Sequence, residues 1–261
     1  MNTEPDNKAG TILAFANQKG GVGKSTSVVN LAASLGLLGK KVLVVDSDPQ
    51  GNTTSGFGVA KKDLTSSVYE MLIGQAEAAS CVRSTRFQGI SLIPAGISLA
   101  GAEFELILEE RRETRLKEAL LPIVPEYDFV LVDCPPSLGI LTINALVAAD
   151  SLVIPMQCEY YSLEGLTQLI YSIRQIKRRM NPSLTVAGIL ITMYNGRLNL
   201  SEQVMAELHK YYANKLFKTV ISRNVTLSEA PSFGEPVWYY DRHSKGALQY
   251  MEVAKELLQR L

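Results

Sequence analysis

A glycine-rich stretch near the start of the chain, KGGVGKST (residues 19–26), has the composition of a phosphate-binding loop. Gly23, Lys24 and Ser25 fit the end of the pattern G-x-x-x-x-G-K-[ST], although Gln18 stands where its first glycine falls. An apolar run precedes the stretch and a helix-forming run follows it, which is the context that such a loop requires. The backbone N–H groups, the lysine and the hydroxyl are predicted to bind phosphates and Mg²⁺, with Lys24 on the phosphates and Ser25 on the metal.

Two further apolar runs end in aspartates. VLVVDSDPQGN places Asp46 and Asp48 at and just beyond a strand end, where Asp48 can turn toward a terminal phosphate. YDFVLVDCPPS ends in Asp133, which fits an aspartate that holds Mg²⁺ directly or through water. We assign Asp46 and Asp133 to the magnesium shell, while capping of a loop stays open for Asp46. Cys134 is not expected to bind an iron–sulfur cluster, because no second matching cysteine is apparent.

Short apolar runs alternate with helical patterns along the chain. The alternation predicts an α/β fold, with a single doubly wound, mostly parallel sheet and helices on both faces, as in P-loop nucleoside triphosphatases. The predicted strands are 11–16, 41–46, 89–94, 128–133, 151–155, 185–192 and 218–221. The predicted helices are 25–38, 104–121, 161–180, 200–216 and 245–261, with Gly39 ending the first. Ligands of such sheets bind beyond the carboxyl ends of the strands, where the aspartates and the loop fall.

Composition indicates a globular protein that needs no disulfide or metal cross-links: 46% of the 261 residues are hydrophobic and 20% are charged. Three cysteines without C-x-x-C spacing give no disulfide or zinc framework, and reduced thiols suit the cytoplasm. We expect residues 1–10 to form a flexible tail, not a signal peptide, and residues 11–261 to form one domain. No apolar run is long enough to suggest a membrane span.

The formal net charge is zero, but the charges are unevenly distributed. Met1–Ile173 holds 13 Lys/Arg and 19 Asp/Glu, whereas Arg174–Lys245 holds 11 Lys/Arg and 5 Asp/Glu, a net of +6. This basic part is compatible with an anionic partner and also with scattered solvated lysines.

The motifs KGGVGKST, DSDPQGN, VDCPPS and SEAPSFGEP together resemble the ParA/Soj branch of the ParA/MinD ATPases, over most of the chain. The resemblance implies that Lys19 is the extra lysine of a deviant Walker A loop, which contacts the phosphates held by the other subunit of an ATP-dependent homodimer. It also implies that Asp48 orients the attacking water, which makes Lys19, Lys24 and Asp48 the predicted catalytic residues. Gly20 is expected where the two backbones nearly touch. The predicted ATP contacts are Lys19, Gly20, Gly21, Val22, Gly23, Lys24, Ser25, Thr26, Asn195 and Pro231.

The same resemblance extends to a DNA-binding face in the later half. Arg197 matches an arginine of that face, whereas Thr226 replaces a second arginine that the family carries in RNVRLSEAPS. Four other cations are expected to compensate: Lys218, Arg223, Arg242 and Lys245. Such contacts go to phosphates and carry no sequence information, so DNA binding is expected to be non-specific and stronger in a dimer.

The resemblance therefore predicts a partition ATPase with ATP and Mg²⁺ as cofactors, slow intrinsic turnover and a ParB/Spo0J-like partner that stimulates hydrolysis. One alternative is a MinD-like ATPase on a membrane, but the C-terminal stretch GALQYMEVAKELLQRL has no net charge and lacks the basic amphipathic pattern of a lipid-binding helix. A nucleotide-binding switch without turnover is the other alternative, and the intact Lys24, Asp48 and Asp133 argue against it.

Overall fold

A seven-stranded sheet organises the part of the chain that the computed structural model describes, residues 10–261 without the side chain of Asp63. The strands are β1 (Thr11–Phe15), β2 (Val42–Asp46), β3 (Arg83–Ser84), β4 (Ile90–Ile93), β5 (Phe129–Asp133), β6 (Ser151–Gln157) and β7 (Thr185–Thr192). Their spatial order is β3-β4-β2-β5-β1-β6-β7, and all neighbours pair in parallel except β3 with β4. The predicted doubly wound, mostly parallel sheet is confirmed.

Helices connect the strands and cover both faces of the sheet. The α-helices are α1 (Lys24–Leu37), α2 (Asn52–Gly56), α3 (Val68–Leu72), α4 (Ala78–Cys81), α5 (Leu99–Ile107), α6 (Arg115–Leu120), α7 (Ile140–Ala148), α8 (Tyr160–Arg179), α9 (Asn199–Tyr212), α10 (Thr226–Glu229), α11 (Val237–Tyr240) and α12 (Lys245–Arg260). Short 3₁₀ turns span Lys61–Asp63, Arg112–Thr114, Val124–Glu126, Ala213–Lys215 and Ala230–Phe233. The predicted end of α1 is confirmed, since Gly39 has a φ of +83°.

Apolar side chains form a core on each face of the sheet. On one face, α1 and α12 cover β-strand residues such as Leu13 and Val44. On the other face, α7, α8 and α9 cover residues such as Ala14 and Val45. Alternate residues of a strand point to opposite faces, so β1 and β2, whose side chains are almost all buried, contribute to both cores.

The strand register aligns three residues that matter for the site. Phe15 pairs with Asp133 across β1 and β5, and Asp46 pairs with Asp133 across β2 and β5. Neighbouring strands lie about 4.8 Å apart, so Asp46 and Asp133 are adjacent at one edge of the sheet, beside the point where the chain leaves β1 for the glycine-rich loop.

One predicted helix, Phe104–Leu121, is wrong. The chain forms α5, leaves helical geometry with a φ of +56° at Arg111, and then begins α6. Asn144 of α7 stabilises the break, because its amide donates to Arg112 O at 2.8 Å while its Oδ1 accepts from the N–H of Leu116 at 3.0 Å. Six apolar side chains in this range have the spacing of a helix face, but only Leu116 and Leu120 are buried; Phe104, Ile107, Leu108 and Leu121 are exposed.

Two smaller predictions are also corrected. Residues 218–221 do not form a strand; this segment runs beside β7, and only isolated bridges flank it, Ile189 with Leu216 and Tyr194 with Ser222. In the C-terminal helix, near-helical spacing singles out Leu248, Met251, Leu257, Leu258 and Leu261 as the apolar stripe, but of these only Leu257 is fully buried, and Leu248 and Leu261 are exposed. Its buried side chains are Ala247, Tyr250, Val253, Ala254 and Leu257.

The predicted tail, residues 1–10, lies outside the described residues except for Gly10. Gly10 is buried, and a Cβ there would lie 2.3 Å from the carbonyl oxygen of Tyr127. No helix of the described residues has both the length and the apolar character needed to cross a membrane.

Candidate active site

The glycine-rich loop follows β1 and turns directly into α1. Gly21 and Gly23 have φ values of +71° and +82°, a conformation that residues with a Cβ rarely adopt. Gly23 is the N-cap of α1, and no side chain caps the first turn of this 14-residue helix or places an acidic group there. The uncapped N–H groups and the positive end of the helix dipole therefore suit a bound anion, as the sequence predicted.

Lys24 lies beneath the loop and is only 6% exposed. Its Nζ donates to the carbonyl oxygens of Asn17 at 3.2 Å and Lys19 at 3.3 Å, which bends the side chain back over the loop. Burial lowers the pKa of Lys24 below its ordinary value, and the nearby Asp133 carboxylate opposes the shift. The ammonium is thus desolvated in advance at the place where phosphates would lie.

Side chains from distant strands hold the loop in this shape. The hydroxyl of Thr192 donates to Val22 O at 2.8 Å, and the amide of Gln157 donates to Gly21 O at 2.8 Å. The amide of Asn17 donates to Pro155 O at 2.7 Å, and its Oδ1 accepts from the N–H of Lys19 at 3.0 Å. Sequence reasoning missed these positioning residues, because nothing local marks a hydroxyl or amide at a strand end as a loop support.

Two consecutive threonines at the start of α2 bind the two buried aspartates. The hydroxyl of Thr53 donates to Asp133 Oδ2 at 2.7 Å. Thr54 donates to Asp46 Oδ2 through its hydroxyl at 2.6 Å and its N–H at 2.7 Å. The N–H of Asp48 donates to the other oxygen of Asp46 at 3.3 Å, so both Asp46 oxygens accept from protein groups.

The carboxyl of Asp133 is unusual because one of its oxygens has no protein partner. Oδ1 is buried without a hydrogen bond from any described residue. Burial, together with repulsion from Asp46, raises the pKa of Asp133 to about 7, although the hydroxyls of Ser25 and Thr53 act against the shift. Burial also raises the pKa of Asp46 to about 6. A cation beside Ser25 and Asp133 would favour the ionised carboxylates and so lower both pKa values.

The Asp133 carboxylate and the Ser25 hydroxyl suit a Mg²⁺ ion whose other ligands are nucleotide phosphates and water. Among the described residues there is no group of three or more His, Cys, Asp and Glu side chains that could hold a metal. Mg²⁺ characteristically takes only one or two protein carboxylates and completes its shell with water and phosphate oxygens. The unpaired oxygen of Asp133 and the nearby hydroxyl of Ser25 meet that requirement. Both oxygens of Asp46, in contrast, already accept hydrogen bonds from Thr54 and Asp48.

Asp48 occupies the position predicted for it, beyond the end of β2. It is 6% exposed and lines the cavity above the loop. Its Oδ1 accepts from the N–H of Gln50 at 2.9 Å, which fixes the carboxylate at the turn after the strand.

The loop, Asp48 and a later segment enclose a cavity of about 420 Å³. Its walls also include Met193, which follows β7, and Ala230, Pro231 and Glu235 of the later segment. Pro231 was predicted as a base contact, and it does line this cavity. Asn195 was predicted there too, but it is not among the described residues that form the wall, and its Oδ1 instead accepts from the N–H of Arg197 at 3.1 Å.

The segment behind Pro231 is tied to α1 and to the chain after α2. Asn30 accepts from the N–H of Val237 at 2.7 Å and donates to Thr26 O at 2.8 Å. Gly234 packs so closely on Gly58 that a Cβ at position 234 would lie 2.4 Å from the Cα of Gly58. The segment that carries Pro231 is therefore held in place by the Asn30 side chain and by a close backbone contact.

Lys19 lies outside the cavity that Lys24 serves. It does not line that cavity, and its ammonium forms an ion pair with Oε2 of Glu159, just before α8. The side chains of Lys19 and Glu159 are 42% and 49% exposed. Gly20 and Gly21 beside it are also exposed, so this part of the loop faces outward.

The cations predicted for a DNA-binding face all lie on the surface: Arg197, Lys218, Arg223, Arg242 and Lys245 are exposed. Thr226, which replaces the family's arginine, is the first residue of α10, and its N–H donates to Asn224 Oδ1 at 2.8 Å.

Comparisons with known proteins agree with this geometry. A family model described as an AAA domain matches residues 10–186. The chain is 52% identical over 248 residues to the sporulation initiation inhibitor protein Soj of Bacillus subtilis, covering 95% of this chain and 98% of that protein. It is 47% identical over 251 residues to the chromosome partitioning protein ParA of Myxococcus xanthus, covering 96% and 89%.

A solved structure gives the same result for the fold. Cobyrinic acid a,c-diamide synthase from Mycobacterium smegmatis, with bound ADP and magnesium, matches with a TM-score of 0.83 at 38% identity, covering 96% of this chain and 94% of that one. The sheet order, the glycine-rich loop and the strand-end aspartates define a P-loop nucleotide-binding protein. The chain belongs to the ParA/Soj family of chromosome-partitioning ATPases.

Proposed function

We propose that the chain is an ATP-dependent DNA-segregation ATPase that dimerises around two ATP molecules and binds DNA non-specifically as the dimer. The observation that carries the proposal is the outward-facing Lys19, a second lysine of the loop that its own cavity does not use. A cation that leaves its own site and completes that of a partner makes association depend on the bound nucleotide. The proposal treats residues 11–261 as one ATPase domain.

ATP and Mg²⁺ are the proposed cofactors, as the ADP and magnesium of the M. smegmatis structure suggest. Ser25 and Asp133 would hold the metal. Asp46 would act without binding it: Asp46 is held in place by the Thr54 hydroxyl, and its charge raises the pKa of Asp133. When bound, Mg²⁺ neutralises charge that develops on the phosphate oxygens. Lys24 binds the phosphates, the base lies against Pro231, and Asp48 orients the attacking water from its fixed position after β2.

Hydrolysis is proposed to be slow in isolation and to be stimulated by a ParB/Spo0J-like partner, after which the dimer separates and leaves DNA. The exposed cations Arg197, Lys218, Arg223, Arg242 and Lys245 are the proposed DNA contacts. Dimerisation doubles their number on one duplex, and because each phosphate contact adds to the salt-dependent affinity, ATP controls DNA binding. This function places the protein in the cytoplasm, on the nucleoid.

A MinD-like membrane role is the alternative that remains to be tested. It is less favoured because α12 buries its apolar stripe on the sheet, including Tyr250 and Leu257, and has no such stripe left for lipid. Sedimentation with anionic vesicles in the presence of ATP separates the two roles, because a membrane ATPase sediments with vesicles and the proposed protein does not.

The decisive experiment measures DNA affinity with ATP, with ADP and without nucleotide, each over a series of salt concentrations. We expect tight binding only with ATP and a steep linear loss of log affinity with log salt. The proposal is wrong if affinity is the same in all three nucleotide states, or if the ATP-loaded protein stays monomeric at high concentration with turnover blocked.

A further inference from the structure

A row of cations lies along the outer edge of the sheet, and it contains two of the DNA contacts proposed above, Lys218 and Arg223, together with two lysines that were not assigned. β7 is the last strand in the sheet order, and the chain from Leu216 to Arg223 runs beside it in the same direction. The N–H of Phe217 donates to Ile189 O at 3.0 Å, and the N–H of Ile221 donates to Ile191 O at 2.8 Å. This segment therefore follows the strand from near its middle to the carboxyl edge of the sheet.

The two ends of the row are fixed by contacts. At the start of β7, Lys177 Nζ donates to Leu184 O at 2.9 Å, and Lys215 Nζ donates to Val186 O at 2.8 Å. At the other end, the N–H of Arg223 donates to Tyr194 O at 3.2 Å, just beyond β7. Lys218 is exposed between the two ends. We call Lys177, Lys215, Lys218 and Arg223 the edge row.

No acidic side chain of the neighbouring sequence neutralises the edge row. Residues 165–201 and 208–228 contain no Asp or Glu, yet they hold nine Lys and Arg residues. Two carboxylates lie beside these residues in the fold. Glu256 of α12 is 13% exposed and accepts from the N–H groups of Lys218 and Thr219 and from Arg260. Asp150, whose carbonyl oxygen accepts from the N–H of Thr185, uses Oδ2 to accept from the N–H of Ile12. Glu256 is thus already compensated by other groups, and the edge row keeps its positive charge.

The length of the edge row fits a nucleic-acid backbone. The eight residues of β7 span about 26 Å at about 3.3 Å each, which corresponds to roughly eight base-pair steps of B-DNA. The ammonium groups of Lys177 and Lys215 each have donors left over after their carbonyl contacts, and these donors can bind phosphate oxygens. Arg178 and Arg179, both exposed, extend the positive charge at the end of α8.

We infer that the edge row is a second phosphate-binding surface, which continues the DNA face from Arg223 down the outer edge of the sheet to Lys177 and Lys215. The inference rests on the proposed function and deepens it, because it names DNA contacts at the opposite end of β7 from Arg197. The simple alternative, that cations near a helix C-terminus only complement the dipole, accounts for Lys177 at the end of α8 and for Lys215 at the end of the 3₁₀ turn after α9. It does not account for Lys218, which lies in the extended segment beside β7.

The test compares two double variants with wild type in ATP-dependent binding to a random-sequence duplex over a salt series. Lys177→Gln/Lys215→Gln retains N–H donors for the carbonyls and removes the charges, and Arg178→Gln/Arg179→Gln removes the neighbouring pair. The control is Lys41→Gln/Lys117→Gln, since both lysines are exposed; Lys41 precedes β2, four strands from β7, and Lys117 lies on α6. Circular dichroism and ATP-driven dimerisation verify that all variants fold and associate.

For Lys177→Gln/Lys215→Gln we expect binding about 100-fold weaker or more at 100 mM salt, with the salt slope reduced by about 2 for one protomer edge or about 4 for both edges of a dimer. The control keeps the wild-type slope. If wild type binds DNA with ATP and this variant keeps its slope, the inference is overturned while the proposed function stands. If wild type shows no ATP-dependent DNA binding, both fall. Loss of binding to phosphatidylglycerol vesicles without any change on DNA would assign the edge row to lipid and also overturn the inference.

Discussion

Lys19 and Glu159 form an ion pair within one chain, although 140 residues separate them in sequence. Both side chains are close to half exposed, and exposed pairs of this kind contribute about 0.2–1 kcal/mol. In the proposed mechanism Lys19 must leave Glu159 to reach the phosphates of a partner. The pair is therefore a weak competitor of dimerisation.

Removing the competitor should favour the dimer. Glu159→Gln frees Lys19 in both protomers, and we expect the ATP-dependent dimer to form at about two- to thirtyfold lower protein concentration, as the loss of two weak pairs implies. Lys19→Ala should still bind ATP and should fail to dimerise. Sedimentation velocity with turnover blocked measures both, and Glu164→Gln, an exposed carboxylate of α8, is the control. A dimer of the Lys19→Ala variant with wild-type affinity would contradict the role of Lys19.

A side chain at Gly20 should block association without harming the isolated chain. The nearest atom to a Cβ at this position is the Cβ of Pro136 at 3.8 Å, so there is room inside the protomer. We expect Gly20→Val to bind ATP normally and to remain monomeric, measured by nucleotide titration and sedimentation. Gly21→Val and Gly23→Val are the contrast, because their positive φ values should make them lose ATP binding itself.

Asp48 should control hydrolysis and not binding. Asp48→Ala and Asp48→Asn are both expected to reduce phosphate release by about 100-fold or more, which is the range for removal of a group that activates a nucleophile. Asp48→Asn keeps an oxygen for the N–H of Gln50, so it separates the carboxylate from the turn it supports. Both variants should stay dimeric on DNA with ATP. Wild-type turnover in Asp48→Asn would show that another group activates the water.

Arg197 should contribute to DNA affinity alone. Arg197→Glu is expected to lower the salt slope of DNA binding by about 0.9 for each phosphate that the protein no longer neutralises, with dimerisation unchanged. Thr226→Arg restores the arginine that relatives carry and should raise the slope by a similar amount. If Arg197→Glu leaves the slope unchanged, the DNA face does not include the loop after β7.

Glu256 should make the free energy of unfolding depend on pH in the acid range. Burial raises the pKa of Glu256, but the N–H of Lys218 and the guanidinium of Arg260 lower it more, and the result lies below its ordinary value of 4.5. A depressed pKa stabilises the fold above 4.5, and that contribution is lost as the pH falls below it. Glu256→Gln should therefore cost about 2 kcal/mol of unfolding free energy at pH 7, from the removal of charge-assisted hydrogen bonds, and much less at pH 3.5.

Urea denaturation at the two pH values measures this difference. Glu252→Gln is the matched control, because Glu252 lies on the same helix in an exposed pair with Lys255. If Glu256→Gln lowers the unfolding free energy equally at both pH values, packing, and not charge, accounts for its effect.

The sequence was informative where a function depends on local chemistry. The places of the glycine-rich loop, Asp48 and Asp133 in the fold could be predicted, because glycine spacing and aspartates at strand ends specify their own surroundings. The supports of the loop could not, since Gln157 and Thr192 act across 136 and 170 residues. The break between α5 and α6 could not be predicted for the same reason, because it depends on Asn144 of another helix. The orientation of Asn195 could not be predicted either, because its side chain accepts a hydrogen bond within its own turn.

The close packing of Gly58 on Gly234 has a consequence for ligand choice. Because main chain meets main chain there, a side chain at either glycine would have to push the segment that carries Pro231 away from the chain after α2. In the proposed function, a change of base preference that keeps this contact therefore has to come from residues that line the cavity, such as Met193 or Glu235.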